Sequence, residues 1–112
     1  MLAVNELEGG AFQDSLGNLI SHGKLVLTLN QDATVNTNVM VCSGYDIEIP
    51  LDNFGDIITS PAYSVWSNDV LTPSTTFYTA IVYSATGERV WGPAYVRVLS
   101  TPSPFGVGVW VP

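Results

Sequence analysis

One short phrase occurs three times in this 112-residue chain and constrains its fold more than any other feature. It begins with Asp or Ser, continues with two variable residues, and closes with Gly and a polar residue. The copies read Asp-Ser-Leu-Gly at 14–17, Asp-Asn-Phe-Gly at 52–55 and Ser-Ala-Thr-Gly at 84–87. Asp or Ser at the first position of a turn accepts a backbone hydrogen bond, and Gly at the fourth position adopts a left-handed conformation without strain. Each copy therefore predicts a hairpin with a bulge, and their unequal spacing excludes a solenoid repeat.

The segments between the turn signals are short and have strand character. Seven Pro and ten Gly interrupt the chain, and the runs between them are rich in Val, Ile, Thr, Tyr and Phe. Residues 77–83 are apolar on both faces, which predicts a central strand. The spacing predicts an all-β fold, an antiparallel β-sandwich of about seven to nine short strands. The predicted strands are 10–13, 24–29, 39–42, 45–49, 56–59, 63–66, 77–83, 89–91 and 95–99.

The charge balance excludes two classes of partner. The net charge is −7, and the only cations are Lys24, Arg89 and Arg97. A nucleic-acid groove needs clustered positive charge to displace counterions, so we expect no binding of DNA or RNA. Anionic membrane surfaces are excluded as partners for the same reason.

Cysteine use and hydropathy point to a protein made in the cytosol. Cys42 is the only cysteine, so we expect no internal disulfide, and its apolar neighbours indicate a small buried side chain. The N-terminus lacks the basic and apolar regions of a signal peptide. No run approaches the roughly 20 apolar residues of a membrane-spanning helix, so we expect no membrane insertion.

Two stretches resemble small β-sandwich domains of tailed-phage and prophage structural proteins. Residues 10–27 are similar to their opening pattern G-x-h-x-D-x-x-G-x-P-h-x-x-G-x-h-x-h, in which h is apolar, except that Leu19 stands where Pro is frequent. Residues 71–87 are similar to their second half. The resemblance covers roughly residues 9–100 and implies a Greek-key, prealbumin-like or starch-binding-like sandwich used in tails, fibres, collars or capsid decorations. It implies a location in the virion after assembly in the host cytoplasm, with no catalytic residue.

The two ends of the chain are expected to lie outside a sandwich of residues 10–100, as an N-terminal arm of residues 1–9 and a tail of residues 101–112. The tail has no charged side chain and contains three prolines, so in water it would promote aggregation. Either it packs as a last strand on its own domain, or it adds to a neighbouring subunit. In the second case the assembly interface consists of Phe105, Val107, Val109 and Trp110.

Candidate catalytic and metal-binding groups are few. Asp46 and Glu48 lie on one face of a strand, about 7 Å apart; paired carboxylates can hydrolyse glycosides, but a solvated strand face explains them better. His22, the only histidine, has no nucleophile motif beside it. One His and one Cys are too few for a zinc site, and residues 52–56 lack the ligand spacing of an EF-hand. We therefore expect no catalytic residue, metal or cofactor.

Aromatic residues leave a second function open. Tyr63 and Trp66, with Asn68 and Asp69 beside them, could form a platform that binds a surface glycan. Packing of the tryptophans in the core or at an interface is the simpler explanation. The leading hypothesis is a non-enzymatic structural subunit whose partners are copies of itself and other virion proteins. The alternative is a carbohydrate-binding or receptor-binding module.

Overall fold

The computed structural model describes residues 4–35, 38–101 and 104–110 and confirms the predicted all-β fold. Two single-turn 3-10 helices, Asn68–Val70 and Val107–Val109, accompany the strands of this part of the chain. The strands are β1 (Val4–Glu8), β2 (Lys24–Leu29), β3 (Ala33–Val35), β4 (Val39–Val41), β5 (Ile47–Pro50), β6 (Ser64–Trp66), β7 (Tyr78–Tyr83), β8 (Arg89–Val96) and β9 (Phe105–Gly106).

The strands form two main sheets and one hairpin. A four-stranded antiparallel sheet has the order β5-β2-β7-β8, and a three-stranded sheet has the order β6-β1-β9. Strands β3 and β4 pair with each other, and Thr34 of β3 also exchanges backbone hydrogen bonds of 2.9 Å with Thr72. One hydrophobic cluster takes side chains from all three units, so the arrangement is a β-sandwich with a shared core.

The four-stranded sheet follows directly from alternation in the sequence. Leu25, Leu27 and Leu29 of β2 are buried, and they lie in the same sheet face as the buried residues of β7. Burial of a large aliphatic side chain contributes about 1.5–3 kcal/mol, so this face fixes the register of the pair. Strand β7 lies between β2 and β8, which confirms that residues 77–83 contain a central strand.

The first described residues belong to the sandwich rather than to a separate arm. Strand β1 is the central strand of the three-stranded sheet, antiparallel to β6 and parallel to β9. Leu7 is fully buried, and the side-chain amide of Asn5 donates to Leu99 O at 2.8 Å. The alternation of Asn5 and Leu7 with two exposed glutamates is a strand pattern that the sequence analysis did not recognise.

The C-terminal segment packs on its own domain, the first of the two expected alternatives. Phe105 pairs with Leu7, and the side chains of Phe105, Val107 and Trp110 are buried. Trp110 Nε1 donates to Arg97 O at 3.3 Å, which satisfies the one polar atom of its ring. These three members of the expected assembly interface therefore fill the core instead of the surface. The side chain of Val109 and residues 102–103 and 111–112 lie outside the described part of the chain.

Some predicted strands have other roles. Residues 10–13 and 56–59 take part only in isolated bridges: Gln13 with Leu19, Leu51 with Ile57, and Thr59 with Ala62. The first two bridges close the stems of the first two turns. The predicted strands 89–91 and 95–99 merge into β8, which is irregular between its two halves. Gly92 lies in this irregular stretch with φ +90°, so close to Ala80 O that a Cβ would collide with it.

The four-stranded sheet gives the molecule two distinct ends, and the molecule measures 45 × 23 × 21 Å. Lys24, the first residue of β2, pairs with the last residue of β5 and the last residue of β7. The three turns, at residues 14–17, 52–55 and 84–87, lie next to these strand ends in the sequence. We name this end of the sheet the turn end. The opposite end, where Leu29 pairs with Tyr78, is named the groove end.

Candidate functional site

The three turns have the same hydrogen-bond pattern, which confirms the prediction from the repeated phrase. In each turn the glycine N–H donates to the carbonyl oxygen of the first residue, and the N–H of the residue after the glycine donates to the first residue's side-chain oxygen. All three glycines have positive φ, between 80° and 90°. The N–H to carbonyl distances are 3.1 Å for Gly17 to Asp14, 3.2 Å for Gly55 to Asp52 and 2.9 Å for Gly87 to Ser84.

The first two turns differ from the third because their first residue is Asp. Its carboxylate also accepts from the N–H at the third turn position, Leu16 at 2.8 Å and Phe54 at 2.7 Å. Two hydrogen bonds lower the pKa of Asp14 below its ordinary value of 3.8. The larger effect comes from the bond donated by the Asn18 N–H, and the next from the bond donated by the Asn18 side-chain amide. These bonds hold the loop tips rigid while Leu16 and Phe54 are 85% and 59% exposed.

The first two turns are joined to each other by further hydrogen bonds. His22 has a positive φ of 55°, and its N–H donates across to the second turn, so the structure gives this backbone position a structural role. The joining bonds are Phe12 N to Gly55 O at 3.1 Å, His22 N to Asp52 O at 3.0 Å, Ser21 Oγ to Asn53 O at 2.7 Å and Ala11 N to Asp56 Oδ1 at 2.6 Å.

The groove end carries an apolar groove with a volume of about 340 Å³. Tyr45 and Met40, which line it, are 81% and 62% exposed. Tyr78 lies in its wall and donates its hydroxyl to Trp66 O at 2.7 Å, and burial raises the pKa of that hydroxyl well above 10.0. Cys42 is exposed here, not buried as its neighbours in the sequence indicated. The groove is lined by Leu29, Met40, Val41, Cys42, Tyr45, Ile47, Trp66 and Tyr78.

The expected glycan platform is not brought together as an exposed surface. Tyr63 and Trp66 are half-buried against the core. Asn68 is fully buried, where its amide donates to Thr76 Oγ1 at 3.1 Å and accepts from Val98 N at 2.8 Å. The reason is the 3-10 helix Asn68–Val70, which turns this side chain inward.

Asp69 also has an internal partner. Its carboxylate accepts from the Ser100 hydroxyl at 2.8 Å and from the Ser100 N–H at 3.1 Å, which ties the 3-10 helix to the segment after β8. Aromatic ring contacts in the described residues pair Phe12 with Trp91, Phe77 with Tyr95, and Phe105 with Trp110. Trp66 is therefore a wall of the groove rather than half of an aromatic platform.

The outer face of the four-stranded sheet contains a polar depression of about 250 Å³. Lys24 Nζ donates to Glu48 Oε1 at 2.6 Å and lies 5.9 Å from the centre of the Tyr83 ring. The hydrogen bond that Lys24 donates to Glu48, and then the negative charge of Glu48, raise the pKa of Lys24 above its ordinary value of 10.5. Asp46 accepts from the Thr28 hydroxyl at 2.7 Å. Asp46 and Glu48 therefore lie on a solvated strand face, paired with neighbours on β2.

Among the described residues, no group of three or more His, Cys, Asp or Glu side chains is placed to hold a metal ion. Within the same residues, no helix has the length and apolar character needed to cross a membrane.

Exposed large hydrophobic side chains concentrate at the two ends of the sandwich. Of the nine such side chains in the described residues, four lie in or within three residues of the three turns, three lie in β4 and the loop after it, and Tyr95 and Leu99 lie in β8 and just after it. Leu16 and Phe54 stand at the third position of the repeated phrase, and this regularity was a signal that the sequence analysis could have used. The set at the turn end is Leu16, Leu19, Phe54 and Val90, and the set at the groove end is Val39, Met40 and Tyr45.

Comparisons of the chain with protein-family models, with curated proteins and with solved structures return no match.

Proposed function

We propose that the protein is a non-enzymatic structural subunit that assembles with copies of itself through its two ends, within a phage or phage-like particle. The observation that carries the proposal is that, among the described residues, seven of the nine exposed large hydrophobic side chains lie beside the turns or in β4 and the loop after it. Contiguous exposed apolar surface marks sites of protein association. The virion setting is supported by the turn-and-strand resemblance of residues 10–27 and 71–87 alone.

One end of the sheet projects apolar side chains, and the other end is concave. The turn end projects Leu16 and Phe54 on rigid tips, and the groove end offers an apolar groove of about 340 Å³. A tip of one copy can enter the groove of the next. Because the two surfaces differ, such a contact is heterologous, and it builds a ring or an open filament rather than a closed dimer.

Both edges of the four-stranded sheet are protected against pairing with another chain, which favours contacts at the ends of the sandwich over strand addition. Strand β8 is an edge strand that carries Pro93 and an irregular register, and the other edge strand, β5, ends at Pro50 and exposes Glu48. Proline, charge and irregular pairing are devices that protect edges from pairing with another chain. Self-association by strand addition to the four-stranded sheet is therefore disfavoured.

The surface area that the end contact can bury limits its affinity. A stable interface buries about 1,200–2,000 Å² in total, and two tip side chains in one groove supply only part of that area. Each contact is therefore weak, and assembly requires the high local concentration of a growing particle or many contacts in series. We expect a monomer in dilute solution and larger species as concentration rises.

Glycan binding by Tyr63, Trp66, Asn68 and Asp69 has less support than assembly. Asn68 and Asp69 are engaged in bonds that hold the fold together. The rings are half-buried, so they offer little surface on which a sugar could stack.

Sedimentation velocity over a range of concentrations tests the proposal. A tip variant, Leu16→Ser with Phe54→Ser, and a groove variant, Met40→Ser with Tyr45→Ser, should each remain monomeric where the wild type forms larger species. The matched control is Thr86→Ser at the tip of the third turn, which should associate like the wild type. Circular dichroism verifies that every variant is folded.

Mixing the two variants gives the sharper result. Each retains one intact surface, so a heterologous contact predicts a dimer of one tip variant and one groove variant that grows no further.

Because acidic side chains flank both ends, added salt should strengthen the association. Wild-type protein that stays monomeric at every concentration, or variants that associate as the wild type does, would refute the proposal.

A further inference from the structure

The depression on the outer face of the four-stranded sheet is built on three adjacent strands. Val26 of β2 pairs with Glu48 of β5, and Lys24 of β2 pairs with Tyr83 of β7. The backbone ladders of the sheet therefore fix these side chains beside one another. A site on neighbouring strands is held more rigidly than one on loops. The depression lies on the outer face of the sheet beside the turn end, and its lining includes none of the exposed apolar side chains that carry the proposed assembly.

The polar groups of the depression have unused hydrogen-bonding capacity. An ammonium group has three donors, and within the described residues Lys24 Nζ donates one hydrogen bond, to Glu48 Oε1 at 2.6 Å. Each carboxylate accepts at both oxygens, and the bonds found involve Glu48 Oε1 and Asp46 Oδ1. Donors and acceptors thus stand side by side within a volume of about 250 Å³, above the side chain of Val26.

The charges restrict the ligand. Lys24, Glu48 and Asp46 together carry one net negative charge, which repels phosphates and other anions. The ammonium beside the carboxylates opposes a metal cation, and no three-ligand group is found there among the described residues. A ligand that matches the site is uncharged, and it both donates and accepts hydrogen bonds from adjacent positions.

We propose that this depression binds one neutral pyranose unit. Adjacent ring hydroxyls would donate to the free carboxylate oxygens of Glu48 and Asp46 and accept from Lys24, since a hydroxyl group does both. The apolar C–H face of the sugar would pack on Val26 and against the Tyr83 ring. Binding sites combine such an apolar contact with a few placed polar groups. A sugar is also the ligand considered for the Trp66 platform, but the depression lies at a different place in the fold.

The test is a titration of ¹⁵N-labelled protein with methyl glucoside, methyl galactoside and methyl mannoside, followed by amide chemical shifts. At least one sugar should cause saturable shifts at Lys24, Glu48 and Tyr83, with a Kd on the order of 1 mM for a ligand of this size. Glucuronate, which adds a negative charge, should bind at least about ten times more weakly. Glycerol, an acyclic polyol, should cause no saturable shift at these positions.

Two variants separate the site from the rest of the surface. Tyr83→Ala and Glu48→Ala should each weaken binding of the best sugar about tenfold, which is the loss of one good contact. Tyr95→Ala is the matched control, because Tyr95 lies on the same sheet face, is 73% exposed and lies outside the depression. It should bind the sugar as the wild type does. The proposal is overturned if none of the three sugars saturates, or if both site variants bind unchanged.

Discussion

The two ends of the sandwich are stabilised in different ways. At the turn end, most bonds join residues two to four positions apart, and one pattern is used in three places. At the groove end, the bonds join distant parts of the chain. Asn30 accepts from Phe77 N at 2.9 Å across 47 residues, and Asn68 accepts from Val98 N at 2.8 Å across 30 residues.

This difference separates structure that is encoded locally from structure that depends on the complete fold. A turn of four residues with Asp or Ser first and Gly fourth forms its own bonds wherever the chain passes. A buried amide such as Asn68 has no favourable position until the strands on both sides of it are in place. We therefore expect substitutions at the groove end to affect the whole fold and those in isolated turns to act locally.

Gly55 is a turn residue whose substitution should not act only locally. All three turn glycines have positive φ, but a Cβ at Gly55 would lie 2.7 Å from Phe12 O, whereas nothing lies within 4 Å of one at Gly17 or Gly87. Gly55→Ala should cost about 3–4 kcal/mol, since it combines left-handed strain with a backbone collision. Gly17→Ala and Gly87→Ala should cost about 1 kcal/mol each, from the strain alone. Urea unfolding of the three variants measures the difference, and equal costs would contradict it.

Substitution of Asn68 tests whether long-range hydrogen bonds stabilise the groove end. Replacing it with Ala removes two hydrogen bonds and leaves Val98 N–H without its buried acceptor. The expected loss of unfolding free energy is about 2–3 kcal/mol, because an unsatisfied buried group retains its full desolvation cost. Asn53→Ala, an exposed position in the second turn, is the control and should change stability little. A loss no greater than that of the control would show that the Asn68 bonds do not stabilise the groove end.

Tyr78→Phe should give a small effect at neutral pH, about 1 kcal/mol, for the loss of the 2.7 Å bond to Trp66 O. Its pH dependence is the sharper measurement. Burial raises the pKa of Tyr78 above its ordinary value of 10.0, so the unfolded chain loses this proton at a lower pH than the folded chain. The associated stabilisation is complete below pH 10.0 and is lost as pH rises toward the folded pKa.

Wild-type protein should therefore lose stability above pH 10.0 more steeply than Tyr78→Phe does. The comparison requires unfolding curves at neutral pH and at alkaline pH, with Tyr45→Phe as control, because Tyr45 is 81% exposed. Parallel slopes for the wild type and Tyr78→Phe would mean that Tyr78 ionises equally in the folded and unfolded states.

Much of the fold could be predicted from local patterns, but the candidate sites could not. The alternation of Leu25, Leu27 and Leu29 identified β2, and residues 77–83 were recognised as a central strand. Strand β1 escaped because its exposed positions are both Glu, a residue that is rare in strands. Neither the groove nor the depression is continuous in sequence, so no spacing rule applies to either.

Local patterns specify the class of fold and the three turns, because period-2 alternation and the Asp or Ser to Gly phrase act over a few residues. The packing of the whole chain places the apolar residues Phe105, Val107 and Trp110 in the chain's own core. It also decided that Asn68 faces inward and that Lys24, Glu48 and Tyr83 meet on one sheet face. The physical reason is that pairing between distant strands depends on the burial of all their faces together, which no single segment encodes.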